Sequence, residues 1–423
     1  MLFTLENLLS AYLSCRKGKR KSFNALKFEV GFESKLFQLQ RELENRSYQP
    51  GRSICFVVTY PKLREVFAAD FRDRVVHHLL INRIEPLLEP RFTDHSFACR
   101  KEKGTQAALS KLKKSINKIS KNKTENAYYA QFDVKSFFSS IDKDILFQIL
   151  QKEIKGSFPL KLEEEVLWLA RTIIYHDPTK NYLLKGDQKL FQQIPANKSL
   201  FFSPQKKGLP IGNLTSQFFA NLYLNQFDHF IKRKLKVRYY FRYVDDLVLL
   251  SEDPNQFKSW RREISLFLKE KLKLQLHPKK DQYGSIYSGV NFVGYLTKPD
   301  YTLVRRRVVN NLKTKLHYFN QGLLLTSNNQ RQEVLPLAAP PTKEELKQLL
   351  AVINSYYGLF KHGNCYRLRK NLYQKHFHNL KKYLKPAKDY CYFKIKDKNI
   401  NKEKLKKGEN DQTNQSSPLS GPL

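Results

Sequence analysis

Apolar positions recur along this chain with two periods, and each change of period marks an element. Over 23–44, Leu26, Val30, Leu36, Leu39 and Leu43 follow an approximately helical spacing, which predicts a helix. SYQPGR at 47–52 breaks it, and the β-branched and aromatic run ICFVVTY at 54–60 predicts a strand. Residues 66–90 read as a helix bounded by Pro90, and 103–120 as a basic amphipathic helix. AYYAQFDVKSFF (127–138) reads as a strand and then a turn, after which Asp142 is placed to cap a helix opening over 142–150. Residues 176–207 are polar and irregular and predict a long loop. A strong helix at 216–235 leads into RYYFRYV and LVLLS, two short strand-like runs either side of a double aspartate. Another helix is predicted over 256–276, short strand-like pieces with glycines over 284–304, a Pro-, Ala-, Asn- and Gln-rich linker at 321–341, and a basic helical segment at 342–385. The end of the chain, from residue 395, is rich in Lys, Asn and Ser, and its composition predicts disorder. No internal repeat is evident.

The charge changes this ordinary picture. Lys and Arg number 76 against 39 Asp and Glu, a formal +37 over 423 residues. The excess runs through RKGKRK (16–21), KLKKSINKISKNK (111–123), KRKLKVR (232–238) and RRR (305–307). Such a field concentrates polyanions and destabilises a compact fold by self-repulsion, so nucleic acid is the expected partner rather than mere solubility. Tyr239, Tyr240, Phe241, Tyr356 and Tyr357 lie among the basic runs and could stack on bases, although a core role suits any one of them better. Cys15, Cys55, Cys99, Cys365 and Cys391 show no CxxC spacing, and His376 and His378 find no partners for a zinc site. Apolar residues 1–14 precede the positive charge rather than following it, and no run is long enough to span a bilayer. A cytoplasmic protein with reduced thiols and no membrane contact is expected.

The candidate chemistry lies at YVDD, 243–246. Adjacent carboxylates between apolar runs need positive charge to hold them. Strand–DD–strand predicts a hairpin whose tip projects Asp245 and Asp246, and Asp133 ends the strand-like YYAQFD 112 residues earlier. Three clustered carboxylates suit hard divalent cations better than acid–base work. Two such ions about 4 Å apart would clamp the attacking and leaving oxygens of a phosphoryl displacement, as in adding a nucleotide to a 3′ hydroxyl.

The order of the surrounding blocks resembles reverse transcriptases. YPKLREVFAADFRDRVVHHLL (60–80), LEPRFTDHSFACRKEKGTQAAL (88–109), FDVKSFFSSID (132–142), KGLPIGNLTSQFFANLYLNQFD (207–228), YVDD, LKLQLHPKK (272–280) and GVNFVGYL (289–296) match seven blocks of that family in sequence. LPIGNLTSQ (209–217) is similar to the diversity-generating retroelement enzymes in particular, as are AYLSCRKGKR (11–20), DFRDRVVHH (70–78) and SYYGLFKHGNCYRLRKNL (355–372).

The resemblance implies an α+β right-hand polymerase with a helical and basic extension at 1–53, fingers at 54–125, a palm with an antiparallel sheet at 126–310, a helical thumb at 311–385 and a disordered tail at 386–423. It implies metal binding by Asp133, Val134, Asp245 and Asp246, with two Mg2+ ions that Mn2+ could replace. It places Lys62, Arg64, Val134, Phe138, Ile211, Gly212 and Gln217 on the incoming dNTP, Lys62 and Arg64 as cations on the triphosphate. Phe138 would be a steric gate against the ribose 2′-hydroxyl, and Gly208, Pro210 and Gly212 would form a turn beside the nascent base pair. Ile211 stands where many reverse transcriptases carry Gln, which in the resembled subfamily accompanies errors opposite template adenines. The implied partners are an RNA template, its cDNA hybrid and a small basic helical accessory protein. Another bacterial reverse transcriptase (group II intron-like, retron or phage-defence) and a non-catalytic RNA-binding protein on the same scaffold are the alternatives. No zinc-bearing nuclease, no retron phrase and no RNase H-like carboxylate set is visible.

Overall fold

The chain opens on three helices, α1 (Leu5–Arg16), α2 (Phe23–Glu29) and α3 (Phe32–Glu44). The periodicity over 23–44 predicted one helix there, but Gly31 takes φ +65°, a left-handed conformation cheap only for glycine, and divides it. The structure, a computed structural model, describes residues 1–20, 22–59, 62–321 and 341–396. It divides into two compact units, Met1–Ser288 and Gly289–Leu423.

In the first unit, β1 (Ser53–Val58) pairs antiparallel with β2 (Arg64–Ala68), Val58 opposite Arg64. The helix predicted from residue 66 therefore starts five residues later, as α4 (Phe71–Leu88), with Asp70 accepting from the Arg72 amide at its N-cap. Burial alternates along β2, with Glu65 and Phe67 inward, so a period of two overrides the helical reading locally. Helix α5 (Thr105–Ile119) forms as predicted and buries Ala108, Leu112, Ile116 and Ile119. Strand β3 (Tyr128–Asp133) leads through the single turn α6 (Phe137–Ser140) to α7 (Lys143–Ile154). Asp142 caps α7 as expected, accepting from the amides of Asp144 and Ile145, each at 3.1 Å. After α8 (Leu160–Tyr175), the stretch predicted as loop holds β4 (Tyr182–Lys185) and the short α9 (Gln188–Gln192). Strand β4 pairs parallel with β1, from Ser53 opposite Tyr182. Its four residues carry too little pattern to announce a strand; the open edge of β1 supplies the pairing.

Helix α10 (Leu214–His229) is buried almost all round and widens into a π turn over Phe230–Lys234. Then come β5 (Tyr239–Tyr243), β6 (Asp246–Ser251), α11 (Gln256–Leu272) and β7 (Gln282–Ser285). Helix α11 stops short of the predicted residue 276, at Lys273 in the left-handed region. The central sheet is antiparallel, in the order β5-β6-β3-β7. On one face Ala130, Phe132, Tyr240, Leu247 and Leu249 join a core with residues of α4, α7 and α10; α5 lies against β5 and β6. A sheet covered on both faces explains why LVLLS is continuously apolar rather than alternating.

The second unit contains the sheet β8 (Val290–Phe292), β9 (Tyr295–Thr297) and β10 (Thr302–Val304), then α12 (Arg306–Asn320), α13 (Lys343–Phe360) and α14 (Tyr366–His376). Thr342 and Glu345 form a reciprocal capping box on α13. A hairpin, β11 (Leu384–Ala387) with β12 (Tyr392–Ile395), occupies the start of the predicted disordered tail. Phe393 of β12 packs on Tyr357 and Phe377, an aromatic cluster that gives this stretch the core its composition did not advertise. The predicted linker and the remainder of the tail lie outside the described residues, as do Tyr60 and Pro61. Among the described residues no helix is long and apolar enough to cross a membrane. Cys15, Cys55 and Cys365 are buried free thiols, whereas Cys99 is exposed.

Candidate active site

Strands β5 and β6 are joined by two residues, Val244 and Asp245, with Tyr243 opposite Asp246. Two-residue hairpins of this twist need positive φ at the first loop position, normally a glycine's place. Val244 takes it at φ +58°, a rare conformation for a β-branched residue and a sign of strain at the tip. The Arg242 Nη1 donates to the Val244 carbonyl at 3.2 Å. Beneath it, Arg242 forks onto Asp228, Nε to Oδ1 at 2.7 Å and Nη2 to Oδ2 at 2.6 Å. Tyr240 donates to Asp228 at 2.7 Å, and both members of the ion pair are fully buried. This pair holds the tip from below through the Val244 carbonyl, its charge balanced within itself.

The register of β3 on β6 puts Asp133 directly opposite Asp246. The Val134 amide then donates to the Asp245 carbonyl at 3.1 Å, which ties the end of β3 to the tip. Opposed antiparallel residues hold their Cβ atoms within about 5.5 Å, so the sheet brings the distant acids together by pairing alone.

The electrostatics follow. Burial pushes Asp246 up to about 6; the Gln131 amide, donating at 2.9 Å, opposes this, and Asp245 and Asp133 reinforce it. Burial also raises Asp245, and Asp133 adds to the shift. Lys62 acts downward on Asp246, and Arg64 and Lys280 act downward on Asp245. The predicted triphosphate cations therefore stand within electrostatic reach of the acids, Arg64 on the first residue of β2 and Lys62 two residues before it. Lys280 is a site residue the sequence reading left without a role. It donates to Asp133 Oδ1 at 2.7 Å, while the His277 amide donates to the Asp133 carbonyl at 2.7 Å. Its signal was present, a Lys pair closing the block LKLQLHPKK, but no spacing rule tied that block to Asp133.

Among the described residues no three His, Cys, Asp or Glu side chains stand close enough to hold an ion by themselves. The acids are neighbours with other partners: Asp133 faces Lys280 and Asp246 faces Gln131. The donors are all oxygen, two of them acids raised by burial first and by neighbouring carboxylates second, and an ammonium sits where a cation is wanted. That donor set fits a hard divalent ion completed by substrate phosphates rather than a closed protein cage.

The other predicted residues form the wall above. The Leu209 amide donates to the Phe138 carbonyl and the Gly208 amide to the Ile141 carbonyl, both at 2.8 Å. Phe138 is half-buried and packs edge-on against Phe137. The Ile211 carbonyl accepts from the Phe67 amide at 2.9 Å, and Asn213 Oδ1 accepts from the Ala69 amide at 3.1 Å. Gly212 has φ +123°, and a Cβ there would stand 2.7 Å from Val66 Cγ1 and 3.1 Å from the Phe67 carbonyl oxygen. The 208–213 turn is thus pinned to the strand that carries Arg64. Gln217 is exposed on the first turn of α10 and is not drawn toward the acids by any side-chain hydrogen bond. The stacking role for aromatics does not hold: Tyr239, Tyr240, Phe241, Tyr356 and Tyr357 are all buried.

A sequence model of the family described as reverse transcriptase (RNA-dependent DNA polymerase) matches residues 61–297, more than half of the chain and all of the site just described. The chain belongs to the reverse transcriptase family. Protein YkfC of Escherichia coli is 23% identical over 303 residues, 64% of this chain and 71% of YkfC. The group II intron-encoded protein LtrA of Lactococcus lactis is 20% identical over 328 residues, and the match spans 49% of LtrA. Among solved structures, telomerase from Candida albicans in complex with a telomeric RNA fragment aligns over 77% of this chain and 58% of its own, with TM-score 0.43 and 13% identity. This reverse transcriptase keeps the α+β architecture with an antiparallel sheet, and its family's chemistry is RNA-directed nucleotidyl transfer with divalent metal.

Proposed function

We propose that this reverse transcriptase copies a template-repeat RNA into adenine-mutagenised cDNA for diversification of a target gene. In this reading Asp133, Asp245, Asp246 and the Val134 carbonyl hold two Mg2+ ions, with Mn2+ a possible substitute. When bound, the ions lower the pKa of the primer 3′ hydroxyl and neutralise charge on the departing pyrophosphate. Lys62 and Arg64 would bind the triphosphate, Lys280 holds the Asp133 carboxylate that a metal would use, and Phe138 would exclude the 2′-hydroxyl. Gly212 lets the backbone approach the base pair, and Gln217 contacts the nucleotide only from the rim. The +37 charge supports an RNA-rich complex, in which a small basic helical accessory protein takes part.

The observation that carries the subtype is Ile211. Its backbone is fixed to β2 by the Phe67 amide, so its aliphatic side chain is held in place with no hydrogen-bonding group to check base-pair geometry. The test is copying of a defined RNA, with errors scored base by base. Errors concentrated opposite template adenines support the reading; accurate synthesis there overturns it. The similarity to a group II intron-encoded protein favours a second reading, an intron-related reverse transcriptase, which predicts an error spectrum without adenine bias.

A further inference from the structure

Next to Asp133 lies a pocket of about 360 Å³ that the metal and nucleotide residues leave unused. It is lined by Lys135, Lys207 and Lys273, with Ser136, Ser140 and Gln275 among the polar groups between them. The volume is in the range of small-molecule sites, roughly 300–1,000 Å³, but such sites are mostly apolar, and three ammonium groups demand an anion. Lys135 is two residues from Asp133, no more than about 7 Å along the chain. Its amide donates to the Gln275 carbonyl at 2.8 Å, which fixes the pocket floor against the same segment that bonds Asp133 through His277. Ser136, at φ +50°, turns the chain sharply there, and its hydroxyl is oriented by the Asn197 side-chain amide at 3.0 Å. The hydrogen bonds from Gly208 and Leu209 to the segment after Asp133 bring Lys207 to the opposite wall.

Among the described residues, two of the three cations have no counterion. Lys273 donates to Asp142 at 3.2 Å. Among the described residues, neither the Lys135 nor the Lys207 ammonium has a carboxylate partner, and Asp142 and Asp144 nearby are taken up by Lys273 and Lys206. Two unpaired ammonium groups facing one cavity repel each other, a cost that a multivalent anion would remove.

We infer that this pocket receives the pyrophosphate released by each nucleotide addition. The inference rests on the polymerase activity. In that step the primer 3′ hydroxyl gives up its proton to solvent, its oxygen bonds the α-phosphorus, the α–β bridge breaks, and pyrophosphate leaves with the bonding electron pair. The departing group bears several negative charges and starts beside Asp133. Lys135 and Lys207 then form charge-assisted hydrogen bonds to its oxygens, with Ser136 and Ser140 completing the lining.

Pyrophosphorolysis, the reverse reaction, reads this directly, with inorganic pyrophosphate as the probe and an RNA-template–DNA-primer duplex as the other substrate. Lys135→Ala and Lys207→Ala should each raise the KM for pyrophosphate by about tenfold or more, the equivalent of one lost charge-assisted contact. They should weaken pyrophosphate product inhibition in parallel, and the Lys→Arg variants should retain both. Affinity for the duplex and its salt slope should stay as in the wild type, and circular dichroism checks the fold. Pyrophosphate constants within twofold of wild type overturn the inference. So does weaker duplex binding with a shallower salt slope and an unchanged KM for pyrophosphate, which would assign these lysines to a nucleic-acid backbone. A wild-type enzyme that neither extends a primer nor degrades one with pyrophosphate would overturn the polymerase reading itself.

Discussion

Replacing Asp228 by Asn tests what holds the hairpin tip in place. The carboxylate accepts three hydrogen bonds, two from the Arg242 fork at 2.7 and 2.6 Å and one from Tyr240 at 2.7 Å, in a site closed to solvent. Removing the charge while leaving the guanidinium buried typically costs about 3–5 kcal/mol. For a unit of this size that corresponds to a melting temperature lower by roughly 10 °C. The effect should reach the chemistry as well. Val244 at φ +58° carries strain of roughly 1–3 kcal/mol, and the Arg242 bond to its carbonyl opposes relaxation of the turn. An Arg242 without its anchor lets the tip shift, and a displacement of about 1 Å at reacting groups can cost on the order of 100-fold in rate. Primer extension, measured well below the melting temperature, should therefore slow by about 10- to 100-fold in kcat, with dNTP KM changed less. Arg242→Lys separates the two effects. It keeps the buried charge, so it should melt closer to wild type, but one ammonium cannot reach both Asp228 oxygens and the Val244 carbonyl, so the kcat loss should persist. An Asp228→Asn enzyme that melts within about 2 °C of wild type and extends at the wild-type rate would refute this reasoning.

Three further outcomes are expected. Gly212→Ala forces a Cβ to within 2.7 Å of Val66 Cγ1 at φ +123°, so it should destabilise by about 2 kcal/mol and raise the dNTP KM; unchanged melting and KM would mean the turn moves freely. Asp246, raised to about 6 by burial first and neighbouring acids second, binds its proton more tightly folded than unfolded, so its contribution to metal-free stability should be fully present below pH 4 and be lost as pH rises through about 6, by roughly 2 kcal/mol. Asp246→Asn should flatten that profile in thermal melts from pH 4 to 8, and an unchanged slope would place the titration elsewhere. Phe138→Ala should admit ribonucleotides in primer extension, and continued exclusion of them would mean that another residue is the gate.

The strand–DD–strand pattern and the strand ending in Asp133 were legible because apolar runs bounded by charged turn residues leave few other structures open. Asp142 was legible as a cap because side-chain capping is local. What escaped was set by pairing and burial. Val66 and Phe67 suit a helix or a strand, and the edge of β1 decided between them. Strands β4 and β7 hold their places through backbone hydrogen bonds, which side-chain patterns do not record. The Arg242–Asp228 pair left a faint trace. Asn221, Asn225 and Asp228 fall at helical spacing within α10, and all three are buried. A polar stripe on the buried side of a helix signals a buried network, and Arg242 is the long cation that reaches it. Lys280 and the pocket lysines escaped because lysines are common throughout this chain, so no single one stood out.

In the proposed function Asp133, Asp245 and Asp246 form one metal-dependent site for strand extension. Asp245→Asn changes one charge and almost no volume, so the most direct measurement is its single-turnover extension of a DNA primer on an RNA template, with duplex affinity determined alongside. The account predicts a rate lower by about three orders of magnitude with duplex affinity kept. Extension at close to the wild-type rate would contradict it.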